Sequence, residues 1–242
     1  MDPSIAPIPL MVLGLLLMLM TLRRFEGFFK ENTLFLLFIA GMILGFVSTL
    51  IERIFFPLVG SFENIEGVLV LYLYPSAIYI IGSSILAEGF KAVVINLARF
   101  RFKRETTFFG FGLGIGFGAT ASIMPFFQFS DYLYPRGVAL PILISVVYIL
   151  LNGATGLVLG AGSARGATVS SFWLSAIFVT SFSLALLGEV FFAGYESPYL
   201  YLVIGMGVII LAVILYLFSL SLFYWGFPDE DKKRVRRALR RA

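Results

Sequence analysis

The sequence predicts an all-α, polytopic integral membrane protein with seven transmembrane helices, its N-terminus outside and its C-terminus in the cytoplasm. Three observations lead there. Only 13% of the 242 residues are charged, 60% are hydrophobic and 27 are Phe. A soluble domain carries roughly 25% charged residues, so most of this chain is expected to be solvated by lipid. Seven apolar runs approach or exceed the about 20 residues that a helix needs to cross a bilayer. The basic residues then divide very unequally between the loops that those runs define.

The runs fall at 5–22, 33–52, 66–86, 107–126, 138–158, 168–188 and 199–225. The first, opening MDPSIAPIPL, has no basic flank before it and Arg23 and Arg24 after it, which fits a retained span and not a signal peptide. With the 23–32 loop inside, 16 of the 18 basic residues lie on the cytoplasmic side, and only Arg53 and Arg136 lie outside. Losing or adding a span would scramble this positive-inside pattern. Residues 1–228 therefore form one seven-helix domain, and residues 229–242 form a basic cytoplasmic tail.

The tail, "PDEDKKRVRRALRRA", carries Arg236 and Arg237 among its cations. Attraction to anionic lipid, at about 1 kcal/mol per basic residue near the surface, explains it without nucleic acid, and none is expected as a partner. The chain has no Cys and no His. That removes disulfides, thiol nucleophiles, the commonest metal ligand and the usual general base near neutral pH. No metal and no cofactor is expected, and no catalytic residue is assigned.

Between the third and fourth runs lies "EGFKAVVINLARFRFKRE". Phe90, Val93, Val94, Leu97 and Phe100 recur at helical spacing, so an interfacial helix is expected over about 87–103. Arg99, Arg101, Lys103 and Arg104 would meet lipid phosphates at its end. The fourth run reads "TTFFGFGLGIGFGATAS". Gly110, Gly114 and Gly118 form one stripe, and Gly112 and Gly116 form a second on the opposite side. Small residues on two faces let two neighbouring helices approach closely, so this helix is predicted to be central. A phosphate-binding loop is excluded by the absence of a preceding strand and of a following Lys-Ser or Lys-Thr.

In the fifth run Asn152, Gly156 and Gly160 share a face, with Thr155 beside it. The sixth carries Thr180 and Ser181 among its hydroxyls. A polar cluster of Glu88, Lys91, Asn152, Thr155, Thr180 and Ser181 is predicted, contacting a ligand or partner. An ionised carboxylate inside a membrane needs a partner, and Lys91, three residues on, is the nearest.

Three segments together resemble the PrsW family of intramembrane proteases, related to the γ-secretase scaffold subunit of the anterior-pharynx-defective type. Ala87-Glu88-Gly89-Phe90-Lys91 matches the second Glu and the Lys of that family's Glu-Glu-x-x-Lys. Gly114-Ile115-Gly116-Phe117-Gly118-Ala119 matches its glycine-rich span, and Asn152-Gly153-Ala154-Thr155-Gly156 resembles a segment that carries His in the family. The departures are as informative. Ala87 replaces the first Glu, Ala121-Ser122 stands where a Glu-Asn pair belongs, and Asn152 stands where a His belongs. The resemblance thus implies a degenerate, non-catalytic member that serves as a scaffold or partner-binding subunit. Its expected partners are membrane lipid and another membrane protein, in a prokaryotic plasma membrane. A small-solute transporter or substrate-binding subunit and an active protease with atypical residues are the competing readings. On the non-catalytic reading, Glu88→Gln is expected to leave the fold nearly intact.

Overall fold

A computed structural model describes residues 7–55, 69–123, 139–193 and 198–225. The described residues form helices and no strands. In chain order these are α1 (Pro7–Leu22), α2 (Glu31–Phe55), α3 (Leu69–Ile95), α4 (Thr106–Ala121), α5 (Ala139–Arg165), α6 (Thr168–Ala193), α7 (Pro198–Leu220) and the single turn α8 (Leu222–Trp225), with a short 3-10 turn at Arg23–Phe25. Each of the seven apolar runs contains a helix. Four of these helices hold segments long and apolar enough to cross a membrane: Glu31–Glu52, Ala77–Ile95, Ile142–Arg165 and Thr168–Leu186.

α4 occupies the centre. Every residue from Thr106 to Ala121 is buried, and its most extensive contacts are with α5 on one side and α2 on the other. At 16 residues it is only about 24 Å long, and it is enclosed by its neighbours along that whole length. The two glycine stripes are the reason. A Cβ on Gly114 would strike the backbone oxygen of Asn152 in α5, and one on Gly116 would strike that of Phe38 in α2. Gly110 lies against Gly156 and Gly160 of α5, Gly118 against Ile149 and Asn152, and Gly112 against Leu34 of α2. Backbone meets backbone on both faces, which only Gly permits.

The surface is apolar. Ile43, Phe46 and Ile54 of α2, Ile177 of α6 and Ile214 and Phe218 of α7 all stand exposed, as lipid-facing helix surfaces do. At the end of the bundle where the α3–α4 turn lies, Phe25, Phe108, Phe111 and Phe223 pack together, with Phe108 and Phe223 stacked at 5.1 Å.

Two boundaries differ most from the expectation. The helix predicted to run through about 87–103 ends at Ile95, and 96–105 is a series of turns. Asn96 turns its side chain back to the Ala92 carbonyl at 2.8 Å and accepts a hydrogen bond from Thr168 at 2.9 Å. Such local bonding competes with helix continuation. Phe102 adopts a left-handed backbone, φ 61°, and its N–H donates to Ser163 O, which ends the helical path. The second difference is at α5, which runs to Arg165 and not 158. Its extra turns carry Gly160, seated on Thr106 and Thr107 of α4, so the close helix contact holds the additional length in place.

Candidate functional site: a buried ion pair between α3 and α5

On α3, Ser84, Ala87, Glu88, Lys91 and Ile95 are buried, while Ile81, Val93 and Leu97 near them are exposed. That spacing is one face of an α-helix. It directs the carboxylate and the amine of this segment into the bundle. Side chains tilt toward the N-terminus of their helix, so Lys91, near the C-terminal end of α3, points back along the axis into the bundle. Both Glu88 and Lys91 are 0% exposed.

Lys91 Nζ donates to Glu88 Oε1 at 2.5 Å, to Asn152 Oδ1 at 2.9 Å and to Thr155 Oγ1 at 2.9 Å. An ammonium has three N–H groups, and all three are used. Thr155 Oγ1, one turn along α5 from Asn152, also lies 3.1 Å from Glu88 Oε1 and 3.2 Å from Asn152 O, so its hydroxyl proton goes to one of these. Asn152 Nδ2 donates to Tyr148 O at 2.9 Å, which fixes the amide with its oxygen toward Lys91. The Phe117 ring of α4 lies 5.0 Å from Nζ, within cation–π range. Ser175 of α6 closes the outer side by donating to Thr155 O at 3.2 Å. Asn152 is the midpoint of α5, about 20 Å from either end of that helix. The charges therefore lie deep in the bundle.

Of the predicted cluster, Glu88, Lys91, Asn152 and Thr155 come together. Thr180 and Ser181 do not: Thr180 is half-buried and Ser181 exposed. The inward face of α6 carries Ser171, Ser175, Val179, Phe182 and Leu186, and a step of five residues from Ser175 to Thr180 rotates about 140° off that face. The polar residue that α6 contributes is thus Ser175. Phe117 and Ser84 were also missed. Ser84 could have been found from its position one turn before Glu88 on the same face. The packing glycines Gly110, Gly112, Gly114, Gly116, Gly118, Gly156 and Gly160 stand where expected.

Arg99, Arg101, Lys103 and Arg104 are exposed on the α3–α4 turn, and the Arg101 guanidinium lies 4.4 Å from the Phe102 ring. Arg236 and Arg237 lie outside the described residues. Two polar atoms near the pair, Glu88 Oε2 and Ser84 Oγ, are buried with no hydrogen-bond partner among the described residues. Nowhere among those residues do three His, Cys, Asp or Glu side chains gather as metal ligands would.

No protein-family model, curated protein or solved structure matches the chain. What the site can do has to be read from its own chemistry. A fully bonded ammonium holds a carboxylate, an amide and a hydroxyl from two helices in one arrangement. Among the described residues no second carboxylate bonds to it, and the chain has no imidazole for proton transfer.

Proposed function

We propose that this chain is a seven-span plasma-membrane protein with its N-terminus outside and its C-terminus inside, working without catalysis as a scaffold or partner-binding subunit on a PrsW-like plan. One observation carries the reading. Lys91 is saturated by Glu88, Asn152 and Thr155, all within the chain, so the one charged cluster of the described interior acts as a lock between α3 and α5. A catalytic lysine needs a free donor aimed at substrate, and a locked ammonium has none to give.

The glycine-packed α2–α4–α5 core supports the same reading, since it makes a rigid platform whose outer helices present apolar faces to lipid or to another membrane protein. Purification from native membranes in mild detergent is the test. The scaffold reading expects a second membrane protein at fixed stoichiometry, retained in a Glu88→Gln background that still folds. Recovery of the chain alone, or peptide-bond cleavage that Glu88→Gln abolishes, would refute it. A small-solute-binding subunit is the second reading, and the unpartnered Glu88 Oε2 is the observation in its favour.

A further inference from the structure

Exposure falls in steps along a line of polar side chains between α2, α3 and α5. Glu52 near the end of α2, Tyr79 on α3 and Tyr148 on α5 are each part-exposed. Tyr79 donates to Glu52 O at 2.8 Å, tying α3 to α2 at that level. Tyr148 packs beside Ala87 and Phe117 and lies within electrostatic range of both Glu52 and Glu88. Beyond it come Ser84, 3% exposed, and Glu88, 0% exposed. Those two carry the unpartnered atoms.

We propose that these residues line a polar cleft that admits water, and that its closed end is a binding site in which one water molecule bridges Ser84 Oγ and Glu88 Oε2. Four arguments converge. A buried hydroxyl and a buried carboxylate oxygen without partners each carry the desolvation cost of a lost hydrogen bond, and a shared water removes both costs. Residues 84 and 88 are one turn apart on the same face, so their side chains are neighbours, and a water held by two hydrogen bonds of about 2.8 Å joins polar atoms about 4.5 Å apart. Water can accept from the serine hydroxyl and donate to the carboxylate, the complementary pattern that a buried site needs. Charge selects a neutral ligand: Glu88 is already balanced by Lys91 at 2.5 Å, so an added cation would leave a net charge in a low-dielectric interior.

This site is independent of the scaffold reading. The lock uses Glu88 Oε1, and the water uses Oε2. The cleft gives the otherwise sealed ion pair a hydrated neighbour reached from the side of the bundle where Glu52 lies.

Hydroxyl-radical footprinting of the full chain in lipid nanodiscs tests it, because radicals formed from bound water oxidise the side chain beside that water even when bulk solvent is excluded. Tyr216, whose hydroxyl is 2.8 Å from Thr21 Oγ1, is the internal reference. The expected result is oxidation of Tyr148 several-fold faster than of Tyr216. Ser84→Ala and Ser84→Val should bring Tyr148 down to the reference rate, and Ser84→Thr, which keeps the hydroxyl, should not. Unfolding midpoints of the three variants confirm that each is folded. Equal rates for the two tyrosines in the unmodified protein, or a Tyr148 rate unchanged by both Ser84→Ala and Ser84→Val, would overturn the proposal.

Discussion

Lys91 Nζ sits 2.5 Å from Glu88 Oε1 with neither side chain exposed, and this sets the energetics of the α3–α5 contact. Removing one member of a buried pair leaves the other uncompensated and typically costs about 3–5 kcal/mol, whereas replacing both with apolar groups is often near neutral. Lys91→Met and Glu88→Gln are each expected to lower stability by that order, and Glu88→Leu/Lys91→Met to recover most of the loss. The expectation from sequence that Glu88→Gln is nearly silent is revised here, because full burial of Lys91 makes Glu88 its only counter-charge among the described residues. Equilibrium unfolding in mixed micelles, arranged as a double-mutant cycle, measures the coupling. Additive single-mutant effects would show that the pair is not a unit.

Glycines of this chain fall into two groups with opposite expected behaviour. Gly114→Ala and Gly116→Ala place a methyl onto the backbone of α5 and α2 respectively, and overpacking of this kind costs about 1–3 kcal/mol or more. Gly82 and Gly207 have nothing within 4 Å of an added Cβ, so Gly82→Ala and Gly207→Ala should gain up to about 1 kcal/mol of helix propensity. Thermal unfolding of the four variants separates the groups. Stabilisation by Gly114→Ala would contradict the close approach of α4 to α5.

Topology is open to direct labelling, since the chain has no Cys of its own. Phe102 lies on the α3–α4 turn with 62% of its surface exposed. Phe102→Cys should react with an impermeant maleimide only after the inner face is opened, and a cysteine at position 195 should react from outside. The reverse pattern would invert the proposed orientation, and labelling of both from one side would remove a span.

How much of this was legible in advance follows from which interactions are periodic. The glycine stripes of α4 repeat at helical spacing, so their two opposed faces, and hence the central place of that helix, could be read directly. The inward turn of Glu88, Lys91, Asn152 and Thr155 was equally readable, because a charge or amide in an apolar run has few places to go. The contribution of α6 was not. Its seven hydroxyls are spread round the helix, and only the packing of Val179, Phe182 and Leu186 decides that Ser175 faces inward and Ser181 outward. The end of α3 was hidden for a similar reason. Apolar residues continue at helical spacing past Ile95, but Asn96 is held by Thr168 and Phe102 by Ser163, partners about 60–70 residues away that no local pattern announces.

Thr155 is the residue whose substitution distinguishes a hydrogen-bonded lock from simple packing. Its hydroxyl accepts from Lys91 at 2.9 Å and lies 3.1 Å from Glu88 Oε1, so it touches both charges while its methyl only fills space. Thr155→Val keeps the shape and removes both hydroxyl contacts. One ammonium N–H then loses its acceptor in a site closed to bulk water, and an unsatisfied buried donor costs about 1–3 kcal/mol, more when charged. Thr155→Ser keeps the hydroxyl and loses one methyl, which should cost only about 1 kcal/mol. If packing alone mattered, the order would reverse, with the isosteric Val variant the more stable. Unfolding midpoints of the two variants, measured beside Thr155→Val in the Glu88→Leu/Lys91→Met background, decide the matter. In that background the charges are gone, the hydroxyl has nothing left to bridge, and the penalty for Val should largely disappear.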